Sequence, residues 1–168
     1  MNNIILVGFM GAGKTTVGRE LARSSGFRFI DTDHKIETEQ KEKISRIFET
    51  RGEAYFRDLE TLALKDLAEC PQRMVIAVGG GLPVREENRR LMRELGTVIY
   101  LKTEIDTLVG RLSGDRSRPK LQGGDLRQRI ETLMREREDI YKEAACAQVS
   151  TDGKRQKDVA REIMERFL

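Results

Sequence analysis

Short apolar runs alternate along the chain with longer segments in which apolar residues recur every three or four positions. The short runs predict buried strands, and the periodic segments predict amphipathic helices. The predicted strands cover residues 4–7, 27–30, 74–78, 98–101 and, more weakly, 147–150. The predicted helices cover residues 14–24, 34–50, 53–69, 85–95, 104–112, 125–145 and 155–168. This alternation favours an α/β fold in which helices cover both faces of a parallel sheet.

A glycine-rich loop connects the first predicted strand to the first predicted helix and reads GFMGAGKTT over residues 8–16. It matches GxxxxGK[ST] in the strand-turn-helix setting that this motif requires, so a chance glycine turn is the weaker interpretation. Glycines let consecutive backbone N–H groups turn toward phosphate oxygens, a lysine neutralises the outer phosphates, and a threonine hydroxyl completes a Mg²⁺ shell. The loop therefore predicts a nucleoside triphosphate site formed by Gly11, Ala12, Gly13, Lys14, Thr15 and Thr16.

Length and charge limit the class of protein. The 168 residues fit one domain, and a chain of this length buries about 70% of its unfolded surface around one core. The 31 basic and 28 acidic residues alternate in sign along the predicted helices, and only 5% of residues are aromatic, with no Trp. Nucleic-acid binders more often combine a basic patch with stacking aromatic side chains. We therefore expect no nucleic-acid partner.

Membrane and disulfide signals are weak. The strongest apolar run, residues 4–10, is much shorter than the about 20 residues that span a bilayer as a helix, and no charged-then-apolar leader opens the chain. Cys70 and Cys146 lie far apart without CxxC spacing, which favours neither a disulfide framework nor a zinc site. We expect a soluble, cytoplasmic protein without membrane association.

Two acidic residues follow the second predicted strand, where ligands of open α/β sheets collect. Asp31 and Asp33 flank Thr32 and precede a helix, so either one can be a helix N-cap. Beside a triphosphate site, two acids also suit a division of labour in which one holds Mg²⁺ and the other accepts a proton from an attacking hydroxyl. His34, the only histidine, is expected to lie at the surface or behind the site.

The third predicted helix carries an acid on its apolar face. Glu60 falls near the middle of the stripe formed by Phe56, Leu59, Ala63 and Leu67. Arg57 lies three residues earlier, within contact of Glu60. A structural ion pair at the rim of the core and a functional pair are both compatible with this spacing.

A basic residue breaks the apolar face of the helix after residue 125. Arg137 occupies the centre of the face formed by Leu126, Ile130, Leu133, Ile140, Tyr141 and Ala144. An inward guanidinium needs an anion, because burying it unpaired costs several kcal/mol. Two arginines converging on one cleft would suit a substrate carboxylate, since each offers a planar fork for two hydrogen bonds.

Two glycine-containing segments remain. Gly79, Gly80 and Gly81 end the third predicted strand, where one glycine suffices for a turn, so three of them favour close backbone approach to a ligand over a merely flexible connection. Residues 113–124 contain three glycines, one proline and three basic side chains with little apolar pattern. We expect this stretch to be a mobile lid.

Taken in order, these motifs resemble the shikimate kinase family over essentially the full chain. The resemblance rests on GAGKTT at 11–16, DTD at 31–33, IFE at 47–49, GEAYFRDLE at 52–60, GGG at 79–81, Arg118-Pro119, and Arg137 four residues before Tyr141. It implies a three-layer P-loop kinase fold over residues 1–168, like that of the nucleoside monophosphate kinases. In this fold a five-stranded parallel sheet carries a substrate-binding region at about 32–60 and a lid at about 112–124.

The resemblance also implies roles for individual residues in transfer of the ATP γ-phosphate to shikimate. Asp33 would contact the shikimate hydroxyls and act as base, and Asp31 would lie near Mg²⁺. The shikimate carboxylate would be held by Arg57 and Arg137, with Glu60 orienting Arg57 and Gly79, Gly80 and Gly81 lining the acceptor pocket. On the nucleotide side, Arg118 would swing from the lid onto the transferring phosphate, Arg111 would lie near adenine, and Lys154 or Arg155 would border it.

Some points stay open at this level. The lid motif reads Arg-Pro-Lys-Leu where the family usually has Arg-Pro-Leu-Leu, so the resemblance assigns no role to Lys120. Paired arginines favour an anionic acceptor but do not separate shikimate from gluconate or a nucleoside monophosphate. A GTP-dependent switch lacks support, because no asparagine begins an NKxD motif. The absence of an obvious coiled coil favours a monomer.

Overall fold

The computed structural model describes residues 2–115, 119–121 and 123–168. Its strands, β1 to β5, are Asn3–Val7, Arg28–Asp31, Met74–Ala77, Gly96–Lys102 and Ala147–Ser150. Its α-helices, α1 to α7, are Lys14–Ser25, Thr32–Gln40, Ile44–Ala68, Glu86–Leu95, Ile105–Leu112, Leu126–Ala144 and Gln156–Phe167. Short 3-10 turns form at Leu82–Val84 and Pro119–Leu121. Within the described ranges, no helix combines the length and the apolar character needed to cross a bilayer.

The five strands form one parallel sheet in the order β2-β3-β1-β4-β5. Strand β1 lies at the centre and is buried on both faces, because its successive side chains point to opposite sides. Ile4 and Leu6 pack in a core with residues of α1 and α7, whereas Ile5 and Val7 pack in a second core with residues of α3, α4 and α6. The three-layer α/β fold predicted from the sequence is thus confirmed.

Residues of α2 and the first part of α3 form a third, smaller core. It contains Ile36, Ile47, Phe56 and Ala63, and it lies within the segment predicted to bind the acceptor. The predicted continuous helix over 34–50 is wrong at residues 41–43. There, Lys41 adopts a left-handed conformation with φ 55°, and the Glu37 side chain accepts a hydrogen bond from the Ile44 backbone N–H at 3.3 Å.

The predicted interruption near residue 52 is present inside α3. Gly52 has φ 83° and ψ 171°, a backbone conformation that residues with a side chain rarely adopt. The second part of α3 therefore starts with a new direction. It carries Arg57 and Glu60 toward the carboxyl ends of the strands.

Candidate active site

A cleft of about 940 Å³ opens beyond the carboxyl ends of β1, β2 and β3. Every site residue predicted from the sequence that lies in the described ranges contributes to its wall, except Arg155, the alternative to Lys154 at the adenine border. Residues from six separate parts of the chain therefore meet around one space, as expected for ligands at the edge of a parallel sheet. Arg118 lies outside the described residues, so its predicted role stays a prediction.

The glycine-rich loop forms one end of the cleft. Gly11 and Gly13 have φ of 82° and 92°, conformations that turn the backbone sharply at the start of α1. The Lys14 ammonium group donates hydrogen bonds to the carbonyl oxygens of Gly8 at 2.7 Å and Phe9 at 2.9 Å. The Thr16 hydroxyl donates to the Gly13 carbonyl oxygen at 3.0 Å. The loop is thus braced by its own side chains around the start of a helix, where anions bind favourably.

Asp31 joins the loop to α2 through both carboxylate oxygens. Its Oδ2 accepts a hydrogen bond from the Thr15 hydroxyl at 2.6 Å. Its Oδ1 accepts from the backbone N–H groups of Asp33 at 3.0 Å and His34 at 3.3 Å, so Asp31 is the N-cap of α2. Asp31 is therefore both the N-cap of α2 and a neighbour of the phosphate loop.

The oxygen pair of Thr15 and Asp31 fits a Mg²⁺ ion better than it fits a softer metal. Mg²⁺ prefers oxygen ligands, and one or two protein groups suffice because phosphate oxygens and water complete its shell. In the part of the chain that the structure describes, no group of three or more His, Cys, Asp or Glu side chains is arranged to hold a metal. Water and phosphate oxygens would supply the rest of the shell of an ion held here.

Glu60 and Arg57 form the buried pair that the helical spacing predicted. The Glu60 side chain is fully buried, and its Oε2 accepts a hydrogen bond from Arg57 Nη1 at 2.7 Å. Arg57 Nη2 donates to Glu53 Oε1 at 3.2 Å, which holds the guanidinium between two carboxylates. Burial raises the pKa of Glu60 to about 7, although the Arg57 cation opposes this shift, and the nearby Asp33 charge adds to it.

Arg137 reaches the cleft from α6 and is only 4% exposed. Its Nη1 has no hydrogen-bond partner among the described residues. Its neighbour Tyr141 donates a hydrogen bond to the Gly80 carbonyl oxygen at 2.6 Å, and burial raises the pKa of this phenol to about 12. A buried guanidinium nitrogen without a partner is costly, and a bound anion would satisfy it.

The three glycines after β3 make room for charged side chains of the protein itself. A Cβ atom added to Gly79 would lie 2.7 Å from Asp33 Oδ1 and 2.9 Å from Glu60 Oε1. At Gly81, an added Cβ would collide with both terminal nitrogens of Arg57. The backbone has ordinary φ values at these two positions, so close approach rather than turn geometry explains the absence of side chains.

Gly81→Ala is expected to displace Arg57 and weaken binding of an anionic acceptor. Because the clash is with the end of a flexible side chain, the fold should survive, and the loss should appear as a KM for the acceptor at least about tenfold higher. Steady-state kinetics with each substrate varied would measure it. Gly110→Ala is the matched control, since no heavy atom lies within 4 Å of its added Cβ. An unchanged acceptor KM in Gly81→Ala would contradict the proposed contact.

Glu60 is expected to make stability fall as pH rises from about 5 to about 7. The folded pKa of about 7 exceeds the ordinary value of 4.5, so the folded state binds a proton more tightly and loses that advantage as pH passes through 7. The difference amounts to at most about 3 kcal/mol. Urea unfolding of Glu60→Gln at pH 5 and pH 7.5 should show a flatter pH dependence than the parent. A steeper dependence would mean that the ion pair with Arg57 dominates.

Several buried residues behind the cleft wall were given no role by the sequence. The buried Thr32 hydroxyl accepts a hydrogen bond from the Gly79 backbone N–H at 3.1 Å and so ties α2 to the glycine loop. The buried Asn88 side chain accepts from the Thr61 hydroxyl at 2.7 Å and donates to the Leu82 carbonyl oxygen at 2.9 Å. The position of Thr32 between two acids was a usable signal, whereas nothing local in the sequence marks Asn88.

The nucleotide side of the cleft has an arginine and a lysine near its rim. Arg111 Nη1 donates a hydrogen bond to the Gly11 carbonyl oxygen at 2.9 Å and is exposed. Lys154 lines the cleft, while Arg155 pairs with Asp158 at 2.8 Å at the start of α7. Of the two residues considered for the adenine border, Lys154 is therefore the better placed.

The parallel sheet with a central phosphate-loop strand, together with its charged cleft, defines a P-loop kinase of the α/β class. A family model described as shikimate kinase matches residues 10–168. A shikimate kinase of Persephonella marina is 45% identical over 167 residues, 99% of each chain, and one of Bordetella avium is 49% identical over 150 residues, 88% of this chain and 70% of that protein. The chain belongs to the shikimate kinase family.

Solved structures agree with this assignment. The shikimate kinase from Acinetobacter baumannii in complex with shikimate superposes with a TM-score of 0.94 at 39% identity, covering 98% of this chain and 92% of that one. A gluconokinase from Sinorhizobium meliloti reaches a TM-score of 0.63 at 17% identity, covering 98% of this chain and 90% of that one, and shares the fold alone.

Proposed function

We propose that this chain transfers the γ-phosphate of ATP to a hydroxyl of shikimate and forms shikimate 3-phosphate. The observation that carries the proposal is the convergence of Arg57 and Arg137, both largely buried, on the cleft that also contains Asp33 and the phosphate loop. The two planar guanidinium groups can hold a carboxylate by paired hydrogen bonds, and Asp33 can accept the proton of an attacking hydroxyl. Family membership supplies the substrate class.

On the nucleotide side, the loop N–H groups and Lys14 hold the phosphates, and Arg111 lies near adenine. Thr15 would hold Mg²⁺ directly, with Asp31 close to it. When bound, the ion neutralises charge on the β- and γ-phosphate oxygens. The 2.6 Å hydrogen bond between Thr15 and Asp31 keeps these two oxygen ligands together beside the loop.

On the acceptor side, Arg57 and Arg137 hold the shikimate carboxylate, and Glu60 orients Arg57 through its 2.7 Å ion pair. Gly79, Gly80 and Gly81 line the acceptor pocket and leave space for Asp33, Glu60 and Arg57. The acceptor oxygen bonds to the γ-phosphorus while the bond to the β–γ bridging oxygen breaks. Asp33 receives the hydroxyl proton, and ADP leaves.

Charge neutralisation and positioning are the main demands of this reaction, because the loose transition state spreads negative charge over the γ-phosphate oxygens. We assign that neutralisation to Lys14, the Thr15 site and Arg118. The lid at about 112–124 would exclude water, which otherwise competes with the acceptor hydroxyl. We also propose that the chain works in the cytoplasm, as a monomer and without a nucleic-acid partner. The free thiols of Cys70 and Cys146 support the reducing compartment, and the low aromatic content supports the absence of a nucleic-acid partner.

An acceptor screen in a coupled ADP-release assay tests the proposal. With ATP and Mg²⁺, shikimate is expected to give rapid ADP release, whereas gluconate, a nucleoside monophosphate and the reaction without acceptor give only slow release. A faster rate with gluconate or a nucleotide would replace the proposed substrate. Hydrolysis without acceptor as fast as transfer would contradict exclusion of water by the lid.

A further inference from the structure

Lys120 lies in the 3-10 turn Pro119–Leu121 and contacts the acceptor side of the cleft. Its ammonium group donates a hydrogen bond to Glu53 Oε2 at 2.7 Å, across 67 positions of sequence. The other oxygen of the same carboxylate, Oε1, accepts from Arg57 Nη2 at 3.2 Å. One carboxylate therefore bridges two cations that come from different parts of the fold.

The bridge continues into the buried part of the site. Arg57 Nη1 donates to Glu60 Oε2 at 2.7 Å, so the guanidinium has a carboxylate at each of its two terminal nitrogens. The Arg57 side chain is 11% exposed, whereas the side chains of Glu53 and Lys120 are 43% and 40% exposed. The chain of contacts runs from the surface inward and ends at the pair that faces the acceptor.

Charge balance gives Lys120 a second effect. Asp33 and Glu53 bring two carboxylates to this side of the cleft, and Glu60, with a pKa of about 7, brings a third that is partly ionised at neutral pH. An anionic acceptor must approach these carboxylates, and the Lys120 ammonium group offsets part of their negative charge. The hydrogen bond from Lys120, followed by the contacts with Arg57, lowers the pKa of Glu53, so this carboxylate stays charged at neutral pH.

We propose that Lys120 is a positioning residue for acceptor binding, which acts by holding Glu53 and, through it, the guanidinium of Arg57. The inference rests on the proposed function, because it assigns the residue to the acceptor half of that reaction. Among the described residues, the hydrogen bond and ion pair of Lys120 are made with Glu53 and not with the nucleotide loop or Asp33, so we expect its effect on the acceptor KM and not on kcat.

The experiment measures kcat and both KM values for Lys120→Met, Lys120→Arg and the parent at low and high salt. Lys120→Met should raise the acceptor KM roughly threefold, the scale of a partly exposed ion pair, with kcat and the ATP KM unchanged. Lys120→Arg should restore the parent value. High salt should shrink the difference between Lys120→Met and the parent, because exposed charges are screened.

Lys65→Met is the matched control, since Lys65 pairs with Glu87 at the same 2.7 Å and similar exposure in a contact between α3 and α4. It should leave the acceptor KM unchanged. A double-mutant cycle adds Glu53→Gln. If the two residues act through one bridge, the acceptor KM of the double variant is no higher than that of the more impaired single variant.

Three outcomes would overturn the inference: an acceptor KM of Lys120→Met equal to that of the parent, effects of Lys120→Met and Glu53→Gln that simply multiply, or a loss confined to kcat. The activity of the parent enzyme with shikimate distinguishes a failure of this inference from a failure of the proposed function. No phosphorylation of shikimate by the parent refutes the function itself, whereas normal parent activity with an unaffected Lys120→Met refutes only the bridge.

Discussion

Asp33→Asn is expected to reduce turnover with shikimate at least about 100-fold while leaving nucleotide affinity nearly unchanged, because an amide keeps the shape of the side chain but accepts no proton. Asp33 lies in the first turn of α2 beside Gly79, where an added Cβ would lie 2.7 Å from its carboxylate oxygen. In the proposed reaction, the loop N–H groups and Lys14 hold the nucleotide, and Asp33 serves the acceptor. Single-turnover kinetics, with ADP affinity measured separately, would give both quantities.

The matched control is Asp58→Asn, which changes a carboxylate on the exposed side of α3 that pairs with Arg85 at 2.7 Å. It should leave turnover within the error of the parent. A second consequence distinguishes Asp33 from a structural acid. Since the Asp33 charge helps to raise the pKa of Glu60, the amide variant should shift the pH dependence of stability due to Glu60 toward lower pH. Unchanged turnover in Asp33→Asn would remove this residue from the mechanism.

Arg137→Ala is expected to raise the acceptor KM about 100-fold and to leave the KM for ATP unchanged, which corresponds to roughly 3 kcal/mol for a charge-assisted contact with an anion. Arg137 is 4% exposed, and its Nη1 lacks a hydrogen-bond partner among the described residues. Steady-state kinetics with each substrate varied would separate the two KM values.

Thermal unfolding adds a test that kinetics alone cannot give. Truncating a residue that mainly stabilises the fold lowers Tm. A buried cation that is retained for a ligand, in contrast, lowers the stability of the ligand-free protein, so its truncation costs little. We therefore expect a small change in Tm for Arg137→Ala without ligand and a clearly smaller rise in Tm on adding shikimate. Arg135→Ala, an exposed arginine on the same helix, is the control and should behave as the parent. An ATP KM that rises instead would place Arg137 at the nucleotide.

The parts of the site that the sequence revealed are those whose chemistry is local. The phosphate loop is contiguous, so its glycines, Lys14 and Thr15 are recognisable from the order of residues. Asp31 and Asp33 follow from the rule that ligands collect at strand ends, and the Arg57–Glu60 pair follows from helical spacing. Glu60 and Arg137 are conspicuous because a charged side chain on an apolar helix face contradicts the periodicity around it.

Other features of the site depend on contacts between residues that lie far apart in the sequence, and no local pattern reveals such contacts. The pattern of glycines after β3 predicts approach to a ligand, but in the structure Gly79 and Gly81 also yield space to Asp33, Glu60 and Arg57. The prediction of a helix over 34–50 missed its interruption, because the Glu37 side chain that stabilises the break acts across seven residues. Lys120 and Glu53, and Thr61 and Asn88, are pairs separated by 67 and 27 positions.

Periodicity and contiguous motifs express short-range geometry, so the amino-acid sequence is enough to establish the α/β class, the nucleotide loop and the identity of the charged residues that do not fit their surroundings. The packing of the helices on the sheet, in contrast, brings Arg57 from α3 and Arg137 from α6 to the same cleft, and lets Lys120 share a carboxylate with Arg57. Those relations are properties of distance in space, and the order of residues along the chain does not encode them locally.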